Sequence, residues 1–310
     1  MFEKILFPTD FSDVSLHTLY NCIPEFSRMG AKEIVIIHIV ERSVSVEKKE
    51  AKAIKRLDEI TNELKEVGAN VSYLVEPLGP IRRNAAEIIC NRAYTQEADL
   101  VVIPTKGANI LMETLIGSVA KNVVRMCEVP LLLLRHRWDK KKKEPRTKVD
   151  YGETFNRPLI ALDFSTCSER ALDTVKKVED IVKEAILYHV VDYGRPEDTD
   201  DNVKEAKYML DKYAKAFSIP VNSKVGGGEA SDGIMRASED LQASLIMVSK
   251  TGGGMVQEFL VGSITNSVTR RSSKPVLVVP CHEVKKVRKR KKEKKVRKWQ
   301  EEEEAMPQVY

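Results

Sequence analysis

Cysteine is sparse and scattered in this chain: Cys22, Cys90, Cys127, Cys167 and Cys281 make no C-x-x-C and no C-x-x-C-H motif. That spacing excludes the compact ligand pattern of a zinc site and the attachment motif of a c-type haem, and it predicts reduced thiols in a cytosol. No apolar run approaches the ~18 residues of a membrane span. The opening MFEKILFPTDFS runs straight into a strand pattern without the long apolar core of a secretion signal. The expectation is a soluble, cytoplasmic protein. Also missing are H-E-x-x-H, a P-loop and any nucleophile and base paired at matched positions, which leaves enzymatic readings without support.

Net positive charge is missing from the body of the chain. The formal net charge is +5, but residues 281–310 hold eleven Lys/Arg against six Asp/Glu, so the other residues balance at 40 to 40. Residues 135–150 carry eight basic and three acidic side chains. The remainder is mildly acidic, which argues against a folded surface built for nucleic acid. The basic character belongs to a linker and a tail.

What the chain does have is a repeated spacing. Gly107 precedes Gly117-Ser118 as Gly252 precedes Gly262-Ser263, both at an offset of 145 residues. Glu113 and Glu258, Val124 and Thr269, Pro130 and Pro275, and Asp99 and Ser244 share that offset. Such a register identifies an internal duplication.

Each half alternates strands with helical stretches, the pattern of a parallel α/β sheet. Strands are predicted at Lys4–Pro8, Glu33–Val40, Val71–Val75, Leu100–Pro104 and Pro130–Arg135, with helices near 12–29, 47–67, 80–96 and 114–127. The second half repeats them at Pro158–Leu162, Glu184–Val191, Val221–Lys224, Leu245–Ser249 and Val276–Val279, with helices near 165–182, 200–217, 229–242 and 259–273. Runs such as IVIIHIV (34–40) are continuously apolar, as burial on both faces requires. Gly226-Gly227-Gly228 occurs in one half only and reads as a flexible rim. The domain expectation is 1–136 and 157–281, separated by a charged linker at 137–156 and followed by a low-complexity tail at 282–310.

Each glycine-spaced loop follows a strand and leads into a helix, so its backbone amides and a serine hydroxyl can meet an anion, with Lys106 and Lys250 adding positive charge. After the first strand of each half comes Asp-Phe-Ser, Asp10 to Ser12 and Asp163 to Ser165, with no G-x-G-x-x-G turn. Asp10 and Asp163 can accept from a base amino group or a ribose hydroxyl. As helix N-caps they compete with Ser12 and Ser165. His38 and His189 read as satisfied core residues rather than ligands. Glu113 and Glu258 face either a phosphate-bound metal or solvent.

Together ILFPTDFS (5–12), ALDFS (161–165), the His38-Ile39 and His189-Val190 pairs and the glycine spacing resemble the universal stress protein family in its tandem form, over residues 1 to about 136 and about 157 to 281. The resemblance implies two Rossmann-like, adenine nucleotide alpha hydrolase-like domains, each a five-stranded parallel sheet of order 3-2-1-4-5 with helices on both faces. It implies pairing of the halves through their last strands, LLLLR (131–135) and VLVV (276–279), with a homodimer as further association. It also implies bound ATP or AMP, with Mg2+ or Mn2+ accompanying ATP, and ATP hydrolysis no more than slow and incidental. The binding residues it transfers are Asp10, Ile39, Gly107, Gly117 and Ser118 in the first half, and Asp163, Val190, Ser249, Gly252, Gly262 and Ser263 in the second.

Nucleotide-binding members carry G-x2-G-x9-G-(S/T), and here Pro104 and Ser249 stand at the first glycine. Proline has no amide hydrogen and cannot adopt a positive φ, so the second half is the stronger site. The expected role is a stress-response or signalling module whose nucleotide modulates partner or self association. The alternative is a nucleotide-independent adaptor whose basic segment, residues 284–298, contacts nucleic acid or an anionic membrane.

Overall fold

The computed structural model describes residues 1–41, 45–65, 68–78, 84–105, 116–135, 138–139, 144–145, 151–191, 199–252 and 261–282. The basic tail and most of the linker therefore lie outside the described residues, as do Lys106, Gly107, Glu113 and Glu258. The first half runs β1 (Lys4–Thr9), α1 (Asp13–Arg28), β2 (Glu33–Val40), α2 (Val46–Glu63), β3 (Asn70–Pro77), α3 (Ala85–Thr95), β4 (Leu100–Pro104), α4 (Ser118–Met126) and β5 (Leu131–Leu134). Two short strands, β6 (Trp138–Asp139) and β7 (Glu144–Pro145), pair antiparallel between the halves. The second half runs β8 (Pro158–Ala161), α5 (Thr166–Lys176), β9 (Ala185–Val191), α6 (Thr199–Ala214), β10 (Val221–Gly227), α7 (Ala230–Asp240), β11 (Leu245–Ser249), α8 (Ser263–Arg271) and β12 (Val276–Val279).

All ten long strands form one sheet in the order β10-β9-β8-β11-β12-β5-β4-β1-β2-β3. Each half is 3-2-1-4-5 and parallel. The exception is the central seam, where β12 pairs antiparallel with β5 through Val276–Leu133, Leu277–Leu132 and Val278–Leu131. Every residue of both seam strands is buried, and each strand covers what would otherwise be an open edge. Because the seam is antiparallel, the strands of the two halves run in opposite directions. Their carboxyl ends, where ligands of open α/β sheets collect, lie on opposite edges of the sheet.

The continuous apolar runs are explained by two cores. Ile5, Phe7, Ile34 and Ile36 pack under α1 and α2 with Leu19, Phe26, Leu57 and Ile60. The alternate residues Leu6, Val35 and Ile37 pack on the other face with Ile89 of α3 and Val123 of α4. Alternation sends successive side chains to opposite faces, so a strand roofed on both sides must be apolar throughout. Among the described residues, no helix is long and apolar enough to cross a membrane.

Helix starts differ from the sequence expectation. The helices expected from 114 and 259 begin at Ser118 and Ser263, because Gly117 and Gly262 are extended N-caps with ψ of 153° and 149°. The helix expected over 165–182 ends at Lys176 and continues as a 3-10 turn at Glu179–Ile181, which still buries Val175, Val178 and Val182. The end of the charged linker is not a spacer. Tyr151–Glu153 forms a 3-10 turn, and Phe155 is fully buried with its ring 6.2 Å from that of Phe2.

The three glycines read as a rim are a second correction. Gly226 and Gly227 belong to β10, paired with Val190 and Val191 of β9. A Cβ on Gly226 would stand 1.9 Å from the hydroxyl of Tyr188 and 2.7 Å from its Cζ. The Tyr188 ring, itself buried, thus fills the space of the missing side chain. Gly226→Ala is expected to destabilise the chain by about 1–3 kcal/mol through overpacking, seen as a lowered denaturation midpoint. A midpoint equal to that of the unsubstituted chain would mean that the ring relaxes freely.

Candidate functional site

After β1 and β8 the backbone turns through Phe11 and Phe164, non-glycine residues at φ 59° and 58°. A left-handed conformation costs such residues roughly 1–2 kcal/mol, and in both halves the same contacts hold it. Phe11 stacks on His38 at 4.1 Å between centroids and Phe164 on His189 at 4.3 Å. The imidazoles are anchored in turn, His38 Nδ1 2.9 Å from the carbonyl of Thr9 and His189 Nδ1 2.7 Å from that of Leu162. A carbonyl only accepts, so each Nδ1 carries the proton. Burial lowers the pKa of His38, which keeps the ring neutral at pH 7. Both histidines thus support the turn, each through a ring stack and an Nδ1 hydrogen bond.

The same turn sets the aspartates. Ser12 and Ser165 are the N-caps, accepting from the amides of Ser15 and Ser168 at 3.3 and 3.2 Å. Asp10 and Asp163 brace those serines: one carboxylate oxygen accepts from the serine amide at 3.0 and 3.1 Å and from its hydroxyl at 2.6 and 2.5 Å. The helix start consumes one oxygen of each aspartate. In the second half the other, Asp163 Oδ2, lies 2.7 Å from where a Cβ on Gly252 would project.

Two clefts form at the carboxyl ends of the strands. The first, about 520 Å3, is lined by Asp10, Ile39, Pro104, Thr105, Gly117 and Ser118 among others. The second, about 400 Å3, brings together all six residues expected there: Asp163, Val190, Ser249, Gly252, Gly262 and Ser263. Both volumes suit a small organic ligand. The loops close alike, the Gly117 amide donating to the Thr105 carbonyl at 2.8 Å and the Gly262 amide to the Lys250 carbonyl at 2.9 Å. Neither Gly117 nor Gly262 offers a side-chain cap to its helix, so the first-turn amides remain available to an anion. Gly252, which has no Cβ, Gly262 and Ser263 together line the second cleft. Among the described residues, no cluster of three or more His, Cys, Asp or Glu stands ready for a metal ion.

The halves differ in details that sequence reading missed. Thr265 of α8 donates to the carbonyl of Ser249 at 2.6 Å and ties helix to strand end, whereas Ala120 stands at the matching place in α4. Lys250 does not match Lys106. The loop bonds pair it with Thr105, whose amide meets Leu134 as that of Lys250 meets Val279. Nor does Lys250 reach toward phosphate. It is buried, and its ammonium donates across the seam to the carbonyl of Cys127 at 3.0 Å. Arg135 makes the reciprocal contact with the Thr269 carbonyl at 2.6 Å, and burial lowers its pKa to about 10.

The expectation of reduced thiols fails for one pair. Cys167 and Cys281 form a disulfide with their Cα atoms 4.5 Å apart. They are 114 residues apart in sequence, but β8, β11 and β12 are adjacent strands, so the start of α5 and the exit of β12 meet beside the second glycine loop. The repeated Asp-Phe-Ser, each with a strand histidine, was the signal for the ring stack. Nothing in the spacing signals Tyr188 or the disulfide.

The universal stress protein family model matches residues 1–135 and 154–280. Universal stress protein MJ0577 of Methanocaldococcus jannaschii is 26% identical over 163 residues, 44% of this chain and 97% of that protein. MJ0531 of the same organism is 30% identical over 151 residues, 46% of this chain and 86% of that protein. The crystal structure of a universal stress protein from Archaeoglobus fulgidus superposes with a TM-score of 0.70 at 23% identity, covering 90% of this chain and 99% of that one. With two family matches on one doubly wound sheet, the chain belongs to the universal stress protein family.

Proposed function

We propose that this chain binds an adenine nucleotide, ATP or AMP, in the second cleft and acts as a non-catalytic stress-response or signalling module. The observation that carries the reading is the convergence in that cleft of Asp163, Val190 and the Gly252, Gly262 and Ser263 cradle. Asp163 would accept from a ribose hydroxyl or base amino group, and the Val190 backbone would meet the base. The glycine amides and the Ser263 hydroxyl would hold phosphate oxygens, with Mg2+ or Mn2+ on the phosphates when ATP is bound. The first cleft has Asp10, Ile39, Gly117 and Ser118 but Pro104 where an amide is wanted, and we assign it the weaker binding. The units of this reading are residues 1–136 and 157–281, acting in the cytoplasm, with bound nucleotide modulating self or partner association.

The test is to denature the purified chain, identify any released ligand by mass spectrometry, and titrate the emptied protein with ATP and with AMP, each with and without Mg2+. A carried nucleotide, or saturable binding of either, is the expected result. No carried nucleotide and no heat of binding at millimolar ligand would refute the reading and favour the nucleotide-independent adaptor.

A further inference from the structure

Thr251 joins the second glycine loop to the disulfide. It precedes Gly252, is buried, and its Cα lies 3.6 Å from where a Cβ on Gly262 would project. Its other side meets sulfur: Thr251 Oγ1 is 2.8 Å from Cys281 Sγ and 3.8 Å from Cys167 Sγ. Thr251 therefore touches both ends of the glycine loop and both sulfurs.

We propose that Cys167 and Cys281 are a reversible dithiol–disulfide modification site, read by low-molecular-weight disulfides, whose state sets the position of Thr251 in the second cleft. Both cysteines are partly exposed, as is Cys90, whereas Cys22 and Cys127 are buried, so a small disulfide can reach them. Cys167 is the second residue of the eleven-residue α5, where a helix N-terminus stabilises a thiolate. Its thiolate attacks one sulfur of the incoming disulfide RSSR and expels one thiolate, which takes up the proton lost by Cys167. Cys281, deprotonated, then displaces the second thiolate from the mixed disulfide. The chain loses two thiol hydrogens and two electrons, and RSSR becomes two RSH.

The two states bond Thr251 differently. A disulfide sulfur has no proton, so Cys281 Sγ accepts from the Thr251 hydroxyl. A thiol at the same place donates, and the Thr251 carbonyl lies 3.7 Å from that sulfur. Reduction thus adds, beside the contact on the side chain of Thr251, a donor that can reach its backbone carbonyl, next to Gly252. The first half has no counterpart, since the offsets of 153 and 145 residues place Val14 and His136 at the matching positions. The site is confined to the half with the more complete cradle.

The effect on ligand rests on the nucleotide reading, but the switch at Thr251 is measurable without it. The full chain is equilibrated with reduced glutathione or with glutathione disulfide and followed by alkylation with mass mapping, by hydrogen exchange over residues 250–252 and 261–265, and by titration with ATP and with AMP. With the alkylation done in denaturant, so that the buried Cys22 and Cys127 also react, five alkylated cysteines are expected in the reduced chain and three, Cys22, Cys90 and Cys127, in the oxidised one. Exchange in the loop should be slower when oxidised, and ATP affinity should differ by about threefold or more between states. Cys167→Ser and Cys281→Ser should both behave as the reduced chain under either condition. Alkylation of all five cysteines in glutathione disulfide, or a disulfide that leaves loop exchange unchanged, would overturn the proposal. A redox-dependent exchange difference with neither ATP nor AMP bound in either state would uphold the switch and refute the nucleotide reading instead.

Discussion

Gly252→Val is expected to weaken ATP binding at the second cleft by about 100-fold, equivalent to about 2.7 kcal/mol. Two effects act together. A Cβ at residue 252 would stand 2.7 Å from Asp163 Oδ2, closer than non-bonded contact allows without movement, and valine adds two further methyl carbons beside the cradle. The carboxylate has little freedom to retreat. Its other oxygen is held by the amide and hydroxyl of Ser165, and Ser165 caps α5 through the amide of Ser168. Swinging Asp163 aside would therefore also loosen the helix start, at roughly 1 kcal/mol for a lost cap.

Asp163→Asn separates these contributions. It keeps the shape and the acceptor oxygen while removing the charge, and a loss near tenfold is expected if Asp163 accepts from a ribose hydroxyl through a charge-assisted bond. Calorimetric titration of the two variants and the parent checks both numbers. Equal affinity in all three would place any nucleotide elsewhere in the molecule, the first cleft being the next candidate.

The doubly wound sheet was legible because burial on both faces leaves a mark that needs no partner to interpret. LVVIP is apolar at every position and IVIIHIV at every position but His38, and the 145-residue register links two such halves. The residues that line the second cleft were legible for a related reason: loops at strand ends that lead into a helix leave glycine and short polar side chains at fixed offsets. What stayed hidden depends on contacts across the chain. Lys250 looks like a phosphate ligand beside Gly252, yet its destination is a carbonyl on the far side of the β5–β12 seam. Gly226 looks like a loop residue until the Tyr188 hydroxyl is found in its place. The cysteines at 167 and 281 meet only because β8, β11 and β12 are neighbours. Linear spacing carries local geometry, and none of these three is local.

Glu25→Ala is expected to destabilise the chain by about 2–3 kcal/mol, the cost of taking a buried carboxylate acceptor from the Phe155 amide and from the half-exposed Arg28. Glu25 is 2% exposed and sits where α1 of the first half meets the entry to the second. One of its carboxylate oxygens accepts from the amide of Phe155 at 3.1 Å and the other from Arg28 at 2.8 Å. Arg28 also donates to Asn156 Oδ1 at 2.9 Å and to the carbonyl of Ile181 at 3.2 Å. Alanine would leave the Phe155 amide buried without this acceptor and Arg28 without this carboxylate. Glu25→Gln keeps an acceptor for Phe155 and should cost about 1–2 kcal/mol, in the range of a single charged hydrogen bond. Urea unfolding of both variants gives the energies, and hydrogen exchange at residues 153–156 shows whether the loss is felt at the linker end. If Glu25→Ala costs less than about 1 kcal/mol, below any buried polar loss, the halves are joined by the β5–β12 ladder with its Lys250 and Arg135 clasps, and the docking of Phe155 follows from that joining rather than contributing to it.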